Sequence, residues 1–355
     1  MSTHPCALIM AGGTGGHIFP GLAVAHALRG KGWRVHWLGT PGSMESDLVP
    51  AQGFALETID FAGLRGKGLK TFAFLPWRLF KALLQSAVVM RRVRPDVVLG
   101  MGGYVSFPGG LMAALTGSPL VLHEQNSVAG MANRWLSKWA KRVFTAFPNV
   151  LPNAQWVGNP LREAFTQQDA PAQRFAGRSG PLKVLVLGGS LGAKALNDVV
   201  PQALALLPEA ERPQVVHQSG VRQIEALRAN YEAAGVQAEL IAFIDDTASA
   251  FAQADLVVCR AGASTVTEIA AVGAAALFVP FPFAVDDHQT TNAQFLVQHG
   301  AGWLVPQTEL TPDYLAAQWR TLSRTELLAK AEAAWAQKKI MATDDVVAAC
   351  EELAA

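Results

Sequence analysis

Charge is scarce in this 355-residue chain: Asp, Glu, Lys and Arg together make up 16% of it and leave a formal net charge of +1. Proteins that capture nucleic acid through its phosphates need many aligned Lys and Arg, so that class is excluded. Cysteine is scarcer still. Cys6, Cys259 and Cys350 lie far apart, which makes neither a disulfide framework nor a zinc pattern, and a reducing compartment is expected. No run of ~18 uncharged apolar residues is present, so no segment is expected to span a bilayer. A basic stretch leading into an apolar one is missing near Met1, and no secretion signal is expected. Two nucleotide motifs are missing as well. There is no G-x-x-x-x-G-K-[ST], and no G-x-G-x-x-G followed by an acid at the end of the next strand.

Apolar residues, by contrast, make up 50% of the chain, enough to bury the cores of two ordinary α/β domains. Short apolar runs alternate with longer helical patterns. Cys6–Met10, 35–38, Val97–Gly100 and 120–122 predict strands in the first half. Lys183–Leu187, 215–218, 240–243, Leu256–Cys259 and 276–279 predict strands in the second. Runs of this length suit strands covered on both faces, and their alternation with helices predicts parallel sheets. The pattern also repeats. A strand, a Gly-rich loop and a helix open the chain at 6–28, and the same series recurs from 183. Two similar domains are therefore expected, 1–162 and 163–340. A linker is expected near Gly158-Asn159-Pro160 and the polar stretch 167–180, and a last helix, near 344–353 within 341–355, packs back across either domain.

Each loop pairs glycine with a helix start. Glycine lets a ligand approach the backbone, and the first turn of a helix offers unpaired N–H groups and a partial positive charge. Such a place suits phosphate. The loop Gly13-Thr14-Gly15-Gly16-His17-Ile18 lacks the final glycine of a dinucleotide site. A third pair, Gly102-Gly103-Tyr104, follows another predicted strand. One such loop is explained by a tight turn; three at strand carboxyl ends favour a phosphate or sugar site.

Polar residues gather at the same ends. His17 opens a helix, where an imidazolium is disfavoured; a neutral ring there can act as a general base or simply cap the turn. His123-Glu124-Gln125-Asn126 follows an apolar strand, an unusual set for a plain turn. Thr265-x-x-Glu268 has the spacing of a capping box, while the same geometry would let Glu268 hold a ribose. Asp286-Asp287-His288-Gln289 has no spaced partners, so no metal is expected there. Finally, 72–90 sets Phe72, Phe74, Trp77 and Phe80 among Lys70, Arg78, Lys81, Arg91 and Arg92, preceded by Gly66-Lys67-Gly68. Lys138, Lys141 and Arg142 add charge in the same half. This reads equally as a core helix or as an interfacial helix on an anionic membrane surface.

The ordered motifs carry more than any one of them. GGTGGHIFPGLAVA (12–25), GGYVSFPGG (102–110), HEQNSVAGMANR (123–134), GNPLR (158–162), GGSLGAKALN (188–197), HQSG (217–220), FIDD (243–246), CRAGASTVTEIAAVG (259–273) and DDHQTTNA (286–293) run through nearly the whole chain. In this order they resemble the MurG family, GT-B glycosyltransferases that make lipid II in bacterial peptidoglycan synthesis. The resemblance implies two Rossmann-like domains with parallel sheets and an interdomain cleft. It implies a UDP-N-acetylglucosamine donor and a lipid I acceptor, with no cofactor. The location implied is peripheral, on the cytoplasmic face of the inner membrane, with partners among the cell-wall synthesis proteins and roles in cell shape and division.

Position by position, the resemblance places Ile244 and Phe243 at the uracil and Glu268 on the ribose. Ser190 and Ala263, Ser264, Thr265, Val266 and Thr267 would hold the diphosphate. Gln289 would meet the sugar hydroxyls, with Arg162 and Asn126 also on the donor. Thr14, Gly15, Gly16, Gly102, Gly103 and Tyr104 would face the acceptor, where His17 is the candidate base and Glu124 would orient or replace it. Three positions depart from the common pattern: Leu191, where many relatives carry Gln, Lys194, where Arg is common, and Phe107, often a small residue. Leu191 leaves only a backbone role at its place. Two rivals stand beside this reading, a UDP-sugar 2-epimerase of the same architecture and a non-catalytic UDP-sugar-binding membrane scaffold.

Overall fold

A computed structural model describes residues 4–61, 74–189 and 191–355. The chain folds as two units, one comprising Met1–Arg162 with Ile340–Ala355, the other Glu163–Lys339. In the first unit the strands are β1 (Cys6–Met10), β2 (Arg34–Gly39), β3 (Ala55–Thr58), β4 (Val97–Gly100), β5 (Leu120–Glu124), β6 (Arg142–Thr145) and β7 (Gln155–Trp156). They form one sheet in the order β3-β2-β1-β4-β5-β6-β7, and every pairing is parallel. In the second unit β8 (Lys183–Leu187), β9 (Gln214–Gln218), β10 (Glu239–Ile241), β11 (Leu256–Cys259), β12 (Ala276–Phe278) and β13 (Gly302–Leu304) form a parallel sheet in the order β10-β9-β8-β11-β12-β13.

Both orders reverse direction once, between β1 and β4 and between β8 and β11. In open α/β sheets ligands sit beyond the strand carboxyl ends at such a reversal. Register brings these ends level: Met10 pairs with Leu38 on one side and Gly100 on the other.

β1 shows why its residues form a central strand. All five are buried, and they alternate between two cores. Ala7 and Ile9 pack with the helices Gly15–Gly30 and Ala342–Ala354; Cys6, Leu8 and Met10 pack with the helices Leu75–Val93 and Ser106–Thr116. The last helix thus returns to the first unit, with Val346, Val347 and Cys350 in the same core as Val24 and Leu28. In the second unit Val184, Val186, Val258 and Leu277 join the helices Lys194–Ala205, Ile224–Ala234 and Pro312–Thr321 in one core.

The loops after β1 and β4 touch backbone to backbone. Gly103 has φ +84°, and a Cβ built on it would lie 2.3 Å from the Gly12 carbonyl oxygen. Ser106 Oγ donates to Met10 O at 3.1 Å and Gly102 O at 2.7 Å, tying the same two loops. Gly103→Ala therefore meets both left-handed strain and an immovable backbone atom. It is expected to cost roughly 2–4 kcal/mol of unfolding free energy; a urea midpoint like that of the wild type would contradict this contact.

Candidate functional site

In the first unit the site is built on loops after three adjacent strands. The helix following β1 begins at Gly15, with Thr14 as its cap, so His17 sits in its first turn, and Thr14 O accepts from both His17 N and Ile18 N. His17 is half-buried. Its Nδ1 lies 2.8 Å from Gln125 Oε1. Gln125 Nε2 donates to His123 Nδ1 at 3.1 Å and to His123 O at 3.2 Å. His123 Nε2 in turn meets Gly158 O at 2.8 Å. Burial pushes His123 down to about 4; the Gly158 carbonyl opposes that shift and the His17 ring adds to it.

The partner of His17 is thus Gln125 and not Glu124. The Glu124 carboxylate is buried and turned into its own loop, where it accepts from Asn126 N (3.0 Å), Asn126 Nδ2 (3.4 Å), Gly130 N (3.0 Å) and Asn133 Nδ2 (2.8 Å). This shapes the turn that carries Asn126 and the start of the helix Met131–Leu136.

A second buried acid escaped the sequence reading. Glu45, in the first turn of the helix Met44–Ala51, is wholly buried and accepts from Gly13 N and Thr40 N, both at 3.1 Å. It clamps the loop from beneath. Its signal in the sequence is an acid in the first turn of the helix after β2, and not an acid at the strand's end. Tyr104 lies across Gly13, and burial and the Glu45 charge raise its phenol above the ordinary range, while a bond with Thr40 opposes them.

The second unit uses an amide in the same way. Gln218, the last residue of β9, accepts from Gly188 N and Gly189 N, both at 3.1 Å, and donates to Gly189 O and Ala242 O at 3.0 and 3.1 Å. His217 beside it is buried between Asn197 Oδ1 (3.0 Å) and Tyr231 Oη (3.1 Å), and desolvation pushes it down to about 3. The sequence alone assigns no role to Gln218 or Asn197. Ser190 lies outside the described residues, as do Gly66, Lys67, Gly68, Lys70 and Phe72.

The helix Ala263–Val272 corrects one expectation. Thr265-x-x-Glu268 is not a capping box: Gly262 is the cap, no side chain caps the helix, and Thr265 lies inside its first turn. Thr267 Oγ1 bonds back to Ala263 O and Ser264 O at 3.0 and 2.9 Å. Ser264 Oγ is buried with no hydrogen-bond partner among the described residues. Glu268 adds to the upward push that burial gives the Cys259 thiol. Phe243 is 48% exposed just after β10, beside a half-buried Ile244. Gln289 opens the helix His288–Val297 and accepts from Phe281 N at 2.9 Å. Arg162 is exposed. Among the described residues no group of three or more His, Cys, Asp or Glu could hold a metal ion.

The helix Leu75–Val93 is apolar on two sides. Ala82, Ser86, Val89, Met90 and Val93 face the core. Trp77 (65% exposed), Phe80 (51%), Leu84 and Val88 recur at helical spacing on the opposite side. Lys81 and Arg91 flank that stripe, and Lys81 pairs with Asp60 at 2.7 Å. Nearby elements expose Leu115, Met131, Trp135 and Trp139, with Lys138 over the Trp135 ring at 4.6 Å. The core reading thus holds for the buried face of Leu75–Val93, and the opposite face is apolar and exposed. No helix of the described residues is long and apolar enough to cross a membrane.

Residues 7–145 match the glycosyltransferase family 28 N-terminal domain, and residues 183–346 match its C-terminal domain. Two curated relatives bear the name UDP-N-acetylglucosamine–N-acetylmuramyl-(pentapeptide) pyrophosphoryl-undecaprenol N-acetylglucosamine transferase. That of Albidiferax ferrireducens is 68% identical, over 99% of this chain and 92% of the relative. That of Polaromonas naphthalenivorans is 68% identical over the whole of both. The crystal structure of Acinetobacter baumannii MurG superposes with a TM-score of 0.85 at 41% identity, over 98% of this chain and 99% of that one.

The two buried histidines set a pH dependence. Their folded values, about 4 and about 3, lie below the ordinary 6.5, so in between the unfolded chain binds more protons. Their contribution to stability is full above ~6.5 and falls away as pH drops towards 4 and 3. In ¹⁵N-edited NMR, His123 and His217 are expected to remain neutral at pH 5. A midpoint near 6.5 for either would contradict the buried, neutral state.

Proposed function

The chain belongs to the MurG family within glycosyltransferase family 28 and is a glycosyltransferase; on that premise we propose its substrates and its residue roles. It transfers N-acetylglucosamine from UDP-N-acetylglucosamine to the C4 hydroxyl of the muramyl residue in lipid I, releasing UDP and forming lipid II. The observation that carries this reading is the 68% identity, along essentially the whole chain, to transferases named for that donor and acceptor.

The second unit holds the donor. Phe243 and the Ile244 backbone receive the uracil, and Glu268 takes the ribose hydroxyls. The diphosphate meets Ser190 and the 263–267 turn, where the N–H groups of a helix start and the Ser264 hydroxyl, unpartnered among the described residues, favour an anion. Gln289 contacts the sugar, with Arg162 and Asn126 also on the donor. The first unit receives the acceptor on Thr14, Gly15, Gly16, Gly102, Gly103 and Tyr104. The acceptor oxygen attacks C1 as the bond from C1 to the diphosphate oxygen breaks, inverting that carbon. His17 Nε2 takes the hydroxyl proton, and the leaving charge rests on helix-start amides and Arg162. Preorganised donors of this kind supply several kcal/mol.

The exposed stripe of Leu75–Val93, with its basic flanks, rests on an anionic bilayer surface at the cytoplasmic face of the inner membrane. That is where an undecaprenyl-linked acceptor is presented.

Incubation with labelled UDP-N-acetylglucosamine and a lipid I analogue should yield labelled disaccharide and free UDP; epimerised sugar, or binding without product, would refute the assignment. His17→Ala should lower kcat by about 10²–10⁴-fold with UDP affinity near normal, and a kcat close to wild type would remove His17 from the base role. Trp77→Ser combined with Phe80→Ser should weaken partitioning onto anionic vesicles by about tenfold or more. Turnover of a water-soluble acceptor should be unchanged; unaltered partitioning would place the membrane contact elsewhere.

A further inference from the structure

The carbonyl of Gly158 carries no proton, so it can only accept, and His123 Nε2 must be the donor across their 2.8 Å contact. His123 is wholly buried. A neutral imidazole that donates at Nε2 has its lone pair at Nδ1, and Gln125 Nε2 donates to it. With its nitrogen so engaged, the Gln125 amide turns its oxygen to His17, and an amide oxygen can only accept from Nδ1. The backbone crosses this bond at Gly102. There φ is +91°, and a Cβ would lie 2.8 Å from His17 Nδ1 and 3.2 Å from Gln125 Oε1.

We infer that Gln125 and His123 are positioning residues that fix His17 as its Nδ1–H tautomer, placing the ring's lone pair on Nε2, where a substrate hydroxyl can use it. This rests on the reading of His17 as the base. The direction of the relay is set at its far end by a backbone carbonyl, and no carboxylate takes part. In the opposite tautomer Nε2 already carries a proton and accepts no other. Without the amide the ring is free to rotate and to exchange tautomers. Burial holds His123 down to about 4, which keeps the relay one-directional through the neutral range.

The test uses the full-length protein with ¹⁵N-labelled histidine. In the wild type, His17 is expected to show a protonated Nδ1 and a bare Nε2. In Gln125→Met, which keeps the volume and removes the acceptor, Nε2–H signal should appear. There kcat should fall about 10–10²-fold while the KM values of donor and acceptor stay within about twofold. Gln125→Glu keeps an acceptor against Nδ1 and should recover most of the lost kcat. If His17→Ala retains near-normal kcat, the base reading falls. If His17→Ala is crippled but wild-type His17 is protonated at Nε2, or Gln125→Met changes neither tautomer nor kcat, the relay alone falls. The wild-type tautomer needs no variant, so a misfolded substitution leaves the question decided.

Discussion

At the carboxyl ends of β1 and β4 two loops pass so close that one backbone lies against the carbonyl of the other. Only a residue without a side chain, in a left-handed conformation, fits there. Much follows from that approach. It brings Gly102 over the bond between His17 and Gln125, and it sets Tyr104 across Gly13. It also occurs where the strand order reverses, the place at which open α/β sheets bind their ligands. The constraint is local, but three chain segments take their places from it, and His17 and Gln125, which meet there, are 108 residues apart in sequence.

Each unit then uses a glutamine to hold a glycine-rich region in shape. Gln218 satisfies two loop N–H groups and two carbonyls with one side chain. Gln125 joins two histidines. An amide offers both donors and acceptors and carries no charge, so it can be buried beside a ligand site without imposing a field on it. The charged counterpart, Glu45, is buried away from any cation in these contacts and satisfied by backbone N–H groups alone.

Much of this was legible in the amino-acid pattern. Apolar runs marked β1, β4, β8 and β11, because strands buried on both faces need no polar alternation. β3, β6, β7 and β13 were not foreseen. They are edge or near-edge strands of two to four residues, and Ala55–Thr58 has no fully buried position. His17 and the 123–126 set stood out by composition, and the structure joins His17 to 123 and 125. What spacing could not show was which of two adjacent polar residues faces inward on the site: Glu124 and Gln125 differ by one position and by an opposite direction. The capping-box reading failed for a related reason. The pattern was right for a helix start but out of phase by three residues, since the cap is Gly262 and Thr265 lies inside the first turn.

The return of the last helix to the first unit has a consequence for synthesis. The first sheet is translated before residue 163, yet the core on one of its faces lacks Val346, Val347 and Cys350 until the whole second unit has been made. The second unit is continuous in sequence and can close as it emerges. Its predecessor must wait, with Ala7, Ile9, Val24 and Leu28 incompletely covered on the nascent chain. The order of completion on the ribosome is therefore the reverse of the order of translation, and the half that carries His17 is the last to be sealed.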